Sequence, residues 1–271
     1  MVRLENLDPE RCRPAFAEAM LHDLAWFGLD WDVVVDQHAQ RAHHEAALDQ
    51  LAARNLVYPC DCGRSRIKNA GRTAADGGYM YDNTCRHKHF PAGGWRNHDA
   101  SIRLKLSGEE IEIRDEDGEI YRQVPAQAMG DPVVRRRDGA IAYHLACVVD
   151  DERAGVKRLI RGRDLLPSAP TQIMIQRQLG YNTPAYRHHF LFLENHGGKL
   201  AKFHGAVGVT ELKKTYSGPD LCGMIAHWAG ITTSPAPCRP SDLIATFDWR
   251  RIRRSDLALT WDGEKLHSPL G

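Results

Sequence analysis

Apolar residues recur at helical spacing near both ends of the chain. In the first such segment they lie four, four and three residues apart and share one helix face, at Phe16, Met20, Leu24 and Phe27. Asp8-Pro9 opens this helical segment and Gly28 suits its end, while Pro14 favours a start of the regular helix only at that residue. Three further segments have helical character, and the last two end at a glycine. The predicted helices cover residues 14–27, 38–54, 171–179 and 220–229.

Alternation of apolar and polar residues predicts strands in the middle of the chain. The alternating apolar positions are Ile102, Leu104, Leu106, Ile111 and Ile113. Largely apolar runs, which are typical of buried strands, cover residues 56–58, 142–149 and 190–193. Because Asp138-Gly139 suits a tight turn, we expect residues 142–149 to form the second arm of a hairpin.

Residues 63–98 follow neither pattern and are rich in Gly, Arg, Asn and His. The segment is too long for a plain connection, so we expect something other than an apolar core to hold it. Helices, this segment, strands and further helices follow one another along the chain. That order predicts an α/β fold with an inserted subdomain.

Composition narrows the class of protein. The 271 residues are 42% apolar and 26% charged, with a formal net charge of +1, which excludes a strongly basic nucleic-acid coat. No apolar run approaches the roughly 20 residues of a membrane span, and the N-terminus lacks a signal-peptide pattern. We therefore expect a cytoplasmic protein. Its seven cysteines, an odd number, favour thiols or metal ligands over a disulfide framework.

Three of the cysteines fall in or beside the aperiodic segment. Cys60, Cys62 and Cys85 are three of the four ligands that a tetrahedral zinc site requires, and metal would stabilise a segment without its own core. The alternative is three unrelated thiols. The spacing leaves the fourth ligand open among Tyr79, Tyr81, His87 and His89.

Two other groups of residues have the chemistry of a binding site. Lys199 and Lys202 flank small residues after an apolar run, where lysines can hold phosphate oxygens, although exposed lysine-rich loops are common. The segments Arg3-Leu4-Glu5-Asn6-Leu7-Asp8 and Arg161-Gly162-Arg163-Asp164, together with Tyr143, offer a carboxylate, a guanidinium and a phenol, which suit an amino acid. From spacing alone, ordinary charges on loops are the favoured interpretation of these residues.

In their order along the chain, these motifs resemble the catalytic half of glutamyl-tRNA synthetases. Within that group they are most similar to the short family of glutamyl-Q tRNA(Asp) synthetases, and the resemblance covers nearly the whole chain. The shared motifs are Arg3-Leu4-Glu5-Asn6-Leu7-Asp8, Tyr58-Pro59-Cys60-Asp61-Cys62 with Tyr81 and Cys85, Asp138 to Asp151, Arg161 to Leu166 with Pro170 to Ile173, and Lys199-Leu200-Ala201-Lys202.

The resemblance implies a class I synthetase fold, with a dinucleotide-fold (Rossmann-like) core, a parallel sheet and an inserted zinc-bearing α/β subdomain. It divides the chain into four parts. Residues 1–55 and 136–230 would form the two parts of the nucleotide-binding core, the second carrying the lysine loop. Residues 56–135 would form the inserted acceptor-stem-like subdomain, and residues 231–271 the C-terminal tail.

The resemblance also implies a reaction. Glutamate would attack the α-phosphate of ATP, with Mg²⁺, to form glutamyl-adenylate, and the glutamyl group would pass to queuosine of tRNA(Asp). By position, Glu5, Tyr143 and Arg161 would bind glutamate. Lys199 and Lys202 would bind ATP, with Lys202 as the catalytic residue. The implied zinc ligands are Cys60, Cys62, Tyr81 and Cys85, and the family suggests a monomer.

Some family features are missing from the sequence. The family's Arg-x-Ala-Pro-Ser-Pro-Thr-Gly and His-Ile-Gly-His-like motifs, which cradle ATP, do not occur, so we expect the first strand to be missing. Asn6 replaces an acidic residue, and Ala201 replaces the serine of the lysine loop. The alternative function is therefore a non-catalytic, synthetase-like protein that binds glutamate or tRNA.

Overall fold

The computed structural model describes residues 1–8, 10–194, 197–198 and 208–270. The chain divides into two compact units. The first contains Met1–Val2, Cys12–Val34 and His189–Gly271, and the second contains Arg3–Arg11 and Val35–His188. The chain therefore enters and leaves the first unit several times, so neither unit is a continuous stretch of sequence.

Helices and strands alternate through the described residues, as an α/β fold requires. The helices are α1 (Pro14–Phe27), α2 (Arg41–Ala53), α3 (Arg64–Asn69), α4 (Pro125–Ala128), α5 (Tyr143–Arg153), α6 (Ala169–Leu179), α7 (Val209–Thr215), α8 (Gly218–Trp228) and α9 (Pro240–Leu243). The strands are β1 (Val2–Leu4), β2 (Val34–Asp36), β3 (Val57–Cys60), β4 (Ser101–Leu104), β5 (Ile111–Arg114), β6 (Ile120–Gln123), β7 (Val133–Arg135), β8 (Arg158–Gly162), β9 (Ala185–His189), β10 (Phe192–Glu194), β11 (Leu257–Trp261) and β12 (Leu266–His267).

The four predicted helices are confirmed. Helix α1 begins at Pro14, and Gly28 follows it with φ of 92°, the left-handed conformation that glycine adopts without strain. Helix α2 follows a short 3-10 turn at His38–Gln40 and buries Ala47, Leu48 and Leu51. Gly180 also adopts positive φ after α6. Apolar spacing therefore located these helices within a few residues of their ends.

Short sheets carry the predicted strands. Strands β3, β4 and β7 form an antiparallel sheet in which Tyr58 lies opposite Arg103, and β5 and β6 form a hairpin around Asp117-Gly118. Strands β10 and β11 are parallel, and β12 joins β11 in antiparallel pairing. The sheet of β3, β4 and β7 connects the first cysteines to the core of the second unit.

The predicted strand at residues 142–149 is wrong, because these residues begin helix α5. Only a single bridge, from Arg135 to Ile141, remains of the predicted hairpin. Every residue from Leu145 to Asp151 is buried, so the helix lacks a polar face. Without a polar face, a buried helix has no 3.6-residue period and resembles a buried strand in sequence.

The core of the second unit surrounds α5. It combines Leu48 and Leu51 from α2, Ile102 and Leu104 from β4, and Ile173 from α6 with the buried face of α5. In the part of the chain that the structure describes, no helix is long and apolar enough to cross a membrane. The core fixes α5 and α6 side by side, and both helices supply residues to the site described next.

Candidate functional site

The structure brings the three predicted cysteines together. The ligand atoms of Cys60, Cys62 and Cys85 all lie within 4.8 Å of one another, and Cys62 Sγ is 3.6 Å from Cys85 Sγ. Cys60 ends strand β3, whose four residues are all buried, so the sheet fixes its position. The three thiols are therefore one cluster and not unrelated residues.

Tyr81 supplies an oxygen at the same place. Its Oη lies 3.3 Å from Cys60 Sγ and 3.8 Å from Cys62 Sγ, and it accepts a hydrogen bond of 2.9 Å from the backbone N–H of Cys85. The Arg103 guanidinium stacks on the Tyr81 ring at 3.6 Å and donates from Nε to Cys60 Sγ at 3.2 Å. This cluster of Cys60, Cys62, Tyr81 and Cys85 is called the thiol cluster below.

The spacings in the thiol cluster suit zinc. A tetrahedral zinc ion with bonds of about 2.3 Å to sulfur and 2.0 Å to oxygen sets ligand separations of about 3.8 Å and 3.5 Å. The observed sulfur–sulfur distance of 3.6 Å and the oxygen–sulfur distances of 3.3 and 3.8 Å are close to these values. Tyr79, another candidate for the fourth ligand, is exposed. The donor set therefore fits the metal.

The ionisation of the cluster reflects its burial and its internal hydrogen bonds. Burial opposes ionisation of Cys85, but hydrogen bonds that include one from Tyr81 outweigh this effect and lower the pKa of the thiol. Burial raises the pKa of Tyr81, with further contributions from its hydrogen bonds to Cys60 and Cys85. The surroundings of Cys85 therefore favour its thiolate form.

A second group of charged residues lies between the start of the chain and helix α5. Arg3 donates from Nη1 to Asp151 Oδ1 at 2.6 Å and from Nη2 to Glu5 Oε1 at 3.0 Å. Burial of Arg3 opposes its charge, yet these two carboxylates raise the pKa of the guanidinium. Glu5 is the more exposed of the two carboxylates, with 42% of its side chain accessible. Its carboxylate is therefore the more accessible of the two to solvent.

Arg161 joins this group through the carboxylate of Asp151. Its Nη2 donates to Asp151 Oδ2 at 3.3 Å, and its Nη1 donates to Gln172 Oε1 at 2.5 Å. Asp151 thus links two arginines through its two oxygens, while its own side chain is only 6% exposed. We call Arg3, Glu5, Asp151 and Arg161 the arginine–carboxylate cluster.

Tyr143 lies beside this cluster at the first turn of α5. Burial raises the pKa of its hydroxyl, with an added effect from Cys147 and from Glu5, while Arg161 and Gln172 act in the opposite direction. Tyr143 is nevertheless 37% exposed as a residue. The structure therefore brings together the three predicted residues Glu5, Tyr143 and Arg161, of which Glu5 and Tyr143 are partly exposed to solvent.

Two residues of this site were not predicted as functional. Asp151 and Gln172 both lie inside the quoted motifs, but sequence alone does not show that they hold Arg161 from two sides. The predicted ATP-binding residues Lys199 and Lys202 lie outside the described residues.

With this geometry established, comparison with known proteins gives the family. A family model described as "tRNA synthetases class I (E and Q), catalytic domain" matches residues 1–224. The chain belongs to this family. The expected class I synthetase relationship is therefore confirmed.

Curated relatives agree with the family model. The chain is 38% identical to the glutamyl-Q tRNA(Asp) synthetase of Symbiobacterium thermophilum, across 96% of this chain and 85% of the relative. It is 37% identical to the protein of the same name from Nocardia farcinica, across 97% and 83%. A Geobacter sulfurreducens protein, also of this name, is 40% identical across 77% of this chain and 66% of its own length.

Solved structures of the family share the fold. A glutamate tRNA ligase from Elizabethkingia meningosepticum superposes with a TM-score of 0.76 at 20% identity, covering 94% of this chain and 59% of its own. A glutamate-tRNA synthetase from Elizabethkingia anophelis gives 0.77 at 19% identity, covering 97% and 61%. The predicted class I synthetase α/β fold is therefore confirmed, and this chain spans about three-fifths of those two chains.

Proposed function

We propose that this chain activates glutamate with ATP and transfers the glutamyl group to a tRNA. One observation carries the proposal: Arg161 of β8, Tyr143 of α5 and Glu5 near the start of the chain lie close together. Together they present a cation, a hydroxyl and an anion, the set that a zwitterionic amino acid with a second carboxylate requires. The names of the relatives support the same activity and do not favour the non-catalytic alternative.

Each residue has a role in this proposal. Glu5, the exposed carboxylate, binds the substrate ammonium, and Arg161 with Tyr143 binds a carboxylate. Asp151 orients Arg161 through Oδ2, because its other oxygen, Oδ1, already accepts a hydrogen bond from Arg3. Lys199 and Lys202 hold ATP, with Mg²⁺, and Lys202 stabilises the negative charge that develops on the phosphates.

We also propose that the thiol cluster holds a structural zinc ion. Cys60, Cys62, Tyr81 and Cys85 would be its four ligands, so no open position remains for a substrate. The metal would tie the end of β3 to the segment after residue 80. Zinc therefore supplies stability in this proposal and takes no part in the chemistry.

The names of the curated relatives support a particular acceptor. We propose that it is queuosine of tRNA(Asp), and that the chain acts as a cytoplasmic monomer on ATP, L-glutamate and this tRNA. Transfer to queuosine requires that this base be present in the tRNA, whereas transfer to the 3′ end does not. A tRNA(Asp) that lacks queuosine should therefore not be glutamylated.

Exchange of labelled pyrophosphate into ATP tests the activation step. We expect exchange that depends on L-glutamate and needs no tRNA. Arg161→Ala should raise the KM for glutamate about 10- to 100-fold, the scale of a lost hydrogen bond to a charged group. Arg158→Ala, an exposed arginine on the same strand β8, is the matched control and should leave KM unchanged.

Labelled glutamate then tests the acceptor. We expect incorporation into tRNA(Asp) that contains queuosine and none into the same tRNA without it. Failure of the wild-type chain to exchange pyrophosphate would contradict the proposed activation. Exchange without incorporation into either tRNA would contradict only the proposed acceptor.

A further inference from the structure

Tyr79 presents an aromatic ring to solvent on an anchored hairpin. The residue is 56% exposed and lies directly opposite Thr73 in antiparallel pairing. Backbone hydrogen bonds close the hairpin within residues 72–80, and the N–H of Ala75 donates to the backbone oxygen of Ala128, outside the hairpin, at 3.0 Å. Because the backbone is held at both places, the exposure of this ring is a property of the fold and not of a loose loop.

Three exposed cations, Arg64, Lys68 and Arg72, lie in helix α3 or directly after it, where the chain leads into this hairpin. Arg64 and Lys68 are four residues apart and share one face of the helix. Lys68 Nζ lies 6.0 Å from the centre of the Tyr79 ring. In the part of the chain that the structure describes, no carboxylate pairs with any of the three. Like charges at helical spacing repel each other, so a bound anion would stabilise this arrangement.

These cations belong to a segment that is far more basic than the rest of the chain. Seven lysines and arginines against two aspartates give residues 63–98 a formal net charge of +5. The whole chain carries +1, so the remaining residues together carry −4. A local positive field in an otherwise acidic chain attracts a polyanion to that part of the protein.

The hairpin also lies near the proposed glutamate site. The charge of Asp76 at its tip partly opposes the burial that lowers the pKa of His144, so the tip is close to the first turn of α5. Tyr143, which is part of the proposed site, precedes His144 in that turn. A nucleotide chain that reaches the proposed site therefore comes close to the hairpin.

We propose that Tyr79 stacks on an unpaired base of the bound tRNA, while Arg64, Lys68 and Arg72 contact the neighbouring phosphates. This inference rests on the proposed function, which makes a tRNA base the acceptor. Enzymes that modify a base take it out of its stack, so the bases beside it lose a stacking partner. An exposed aromatic ring replaces that partner, and cations around it hold the RNA backbone.

RNA binding by the full chain tests the stacking. Fluorescence anisotropy would compare labelled tRNA(Asp) that contains queuosine with a labelled, blunt RNA duplex. Y79A should weaken binding of the tRNA about 10- to 100-fold, the scale of one lost base stack. Y79F keeps the ring and should bind the tRNA within about twofold of wild type. The duplex has no unpaired base, so Y79A should bind it as wild type does.

F16A is the matched control for Y79A. Phe16 is 60% exposed and also has a cation nearby, with Arg13 Cζ 5.9 Å from its ring centre, but it lies outside the basic segment. F16A should leave the affinity for tRNA unchanged. A loss confined to Y79A, with normal binding by Y79F and F16A, is a result that a purely structural role of Tyr79 would not produce.

The salt dependence separates the stacking from the charges. Replacing Arg64, Lys68 and Arg72 together by glutamine should reduce the slope of log Kd against log salt by about 2, because each cation on a phosphate contributes roughly 0.7. Y79A should weaken binding at every salt concentration without changing this slope. An unchanged slope in the triple variant would overturn the phosphate contacts.

The remaining outcomes separate this inference from the proposed function. Y79A that binds tRNA within twofold of wild type, or Y79F that is weakened as much as Y79A, would overturn the stacking role alone. If Y79A does not fold, Y79W keeps the test decisive: its emission should be quenched by tRNA more than that of wild type, and equal quenching would overturn the stacking. Wild-type chain that binds no tRNA would overturn both this inference and the proposed tRNA acceptor.

Discussion

His144 shows how strongly a single residue of the site depends on its surroundings. It follows Tyr143 on helix α5, with the two rings in an edge-to-face contact at 5.4 Å. Burial lowers the pKa of His144 from 6.5 to about 4, with Asp76 opposing this shift and Arg161 adding to it. The imidazole is therefore neutral in the folded protein at neutral pH.

This shift predicts a loss of stability in mild acid. The folded chain keeps His144 neutral down to about pH 4, whereas the unfolded chain binds a proton below about pH 6.5. The free energy of unfolding should therefore fall by about 2–3 kcal/mol as the pH falls through this window. Urea unfolding of wild type and H144N at several pH values measures the difference.

A matched histidine provides the comparison. His43 on α2 is exposed, so H43N should follow the wild-type pH dependence. The H144N variant should have a shallower slope between pH 6.5 and 4 than either. Identical slopes for H144N and wild type would show that His144 is not kept neutral by folding.

At the scale of secondary-structure elements, the sequence correctly predicted the helices that have a polar face or end at a glycine. Helices α1, α2, α6 and α8 each have a polar side or a glycine at their end, and these were located correctly. Helix α5 has neither, because its buried run from Leu145 to Asp151 has no solvent-facing side. The burial of α5 on all sides is a tertiary effect, and no local pattern reports it.

The same limit applies to the site. The thiol cluster could be predicted because its ligands are chemically distinctive and close in sequence. The bridging role of Asp151 could not, because it depends on Arg3, which is 148 residues away in the chain. Gln172 was missed for the same reason: its hydrogen bond from Arg161 forms only when α6 packs beside strand β8 in the folded chain.

Helix α8 gives a test of packing between elements. A Cβ atom added to Gly223 would lie 2.1 Å from the backbone oxygen of Ala236, so the segment before Cys238 packs directly on this glycine. An alanine in the middle of a helix normally stabilises it by about 1 kcal/mol relative to glycine. Here the steric conflict should reverse the sign, and we expect G223A to lower the free energy of unfolding by about 1–3 kcal/mol.

Gly108 is the control for G223A. An added Cβ at Gly108 would meet nothing within 4 Å, so G108A should change stability little. Thermal unfolding of the two variants beside wild type makes the comparison. A G223A protein as stable as wild type would mean that the 234–237 segment does not press on α8.

For the whole molecule, the proposed zinc predicts an effect confined to part of the chain. All four proposed ligands lie in the second unit, within residues 60–85. Purified protein should contain about one zinc per chain, and a chelator that removes it should increase amide hydrogen exchange at residues 57–98. Exchange at β10 and β11, which belong to the first unit, should not change.

A variant separates loss of zinc from a direct effect of the chelator. C62S removes one proposed ligand and should give the same exchange pattern without a chelator. C12S, which replaces a cysteine outside the cluster, should keep the metal. Metal-free wild-type protein with full protection of residues 57–98 would contradict a structural zinc site.

Arg103 has a consequence for the charge of that site. A zinc dication with three thiolates and a neutral phenol carries one net negative charge, which is costly to bury. The Arg103 guanidinium, 6% exposed and in contact with both Cys60 and Tyr81, contributes one positive charge. With zinc bound, the centre and its arginine would therefore be electrically neutral. Thiolates in a neutral centre are less nucleophilic toward oxidants and alkylating agents. Arg103 would therefore act as an internal counterion that protects the metal centre from these reagents.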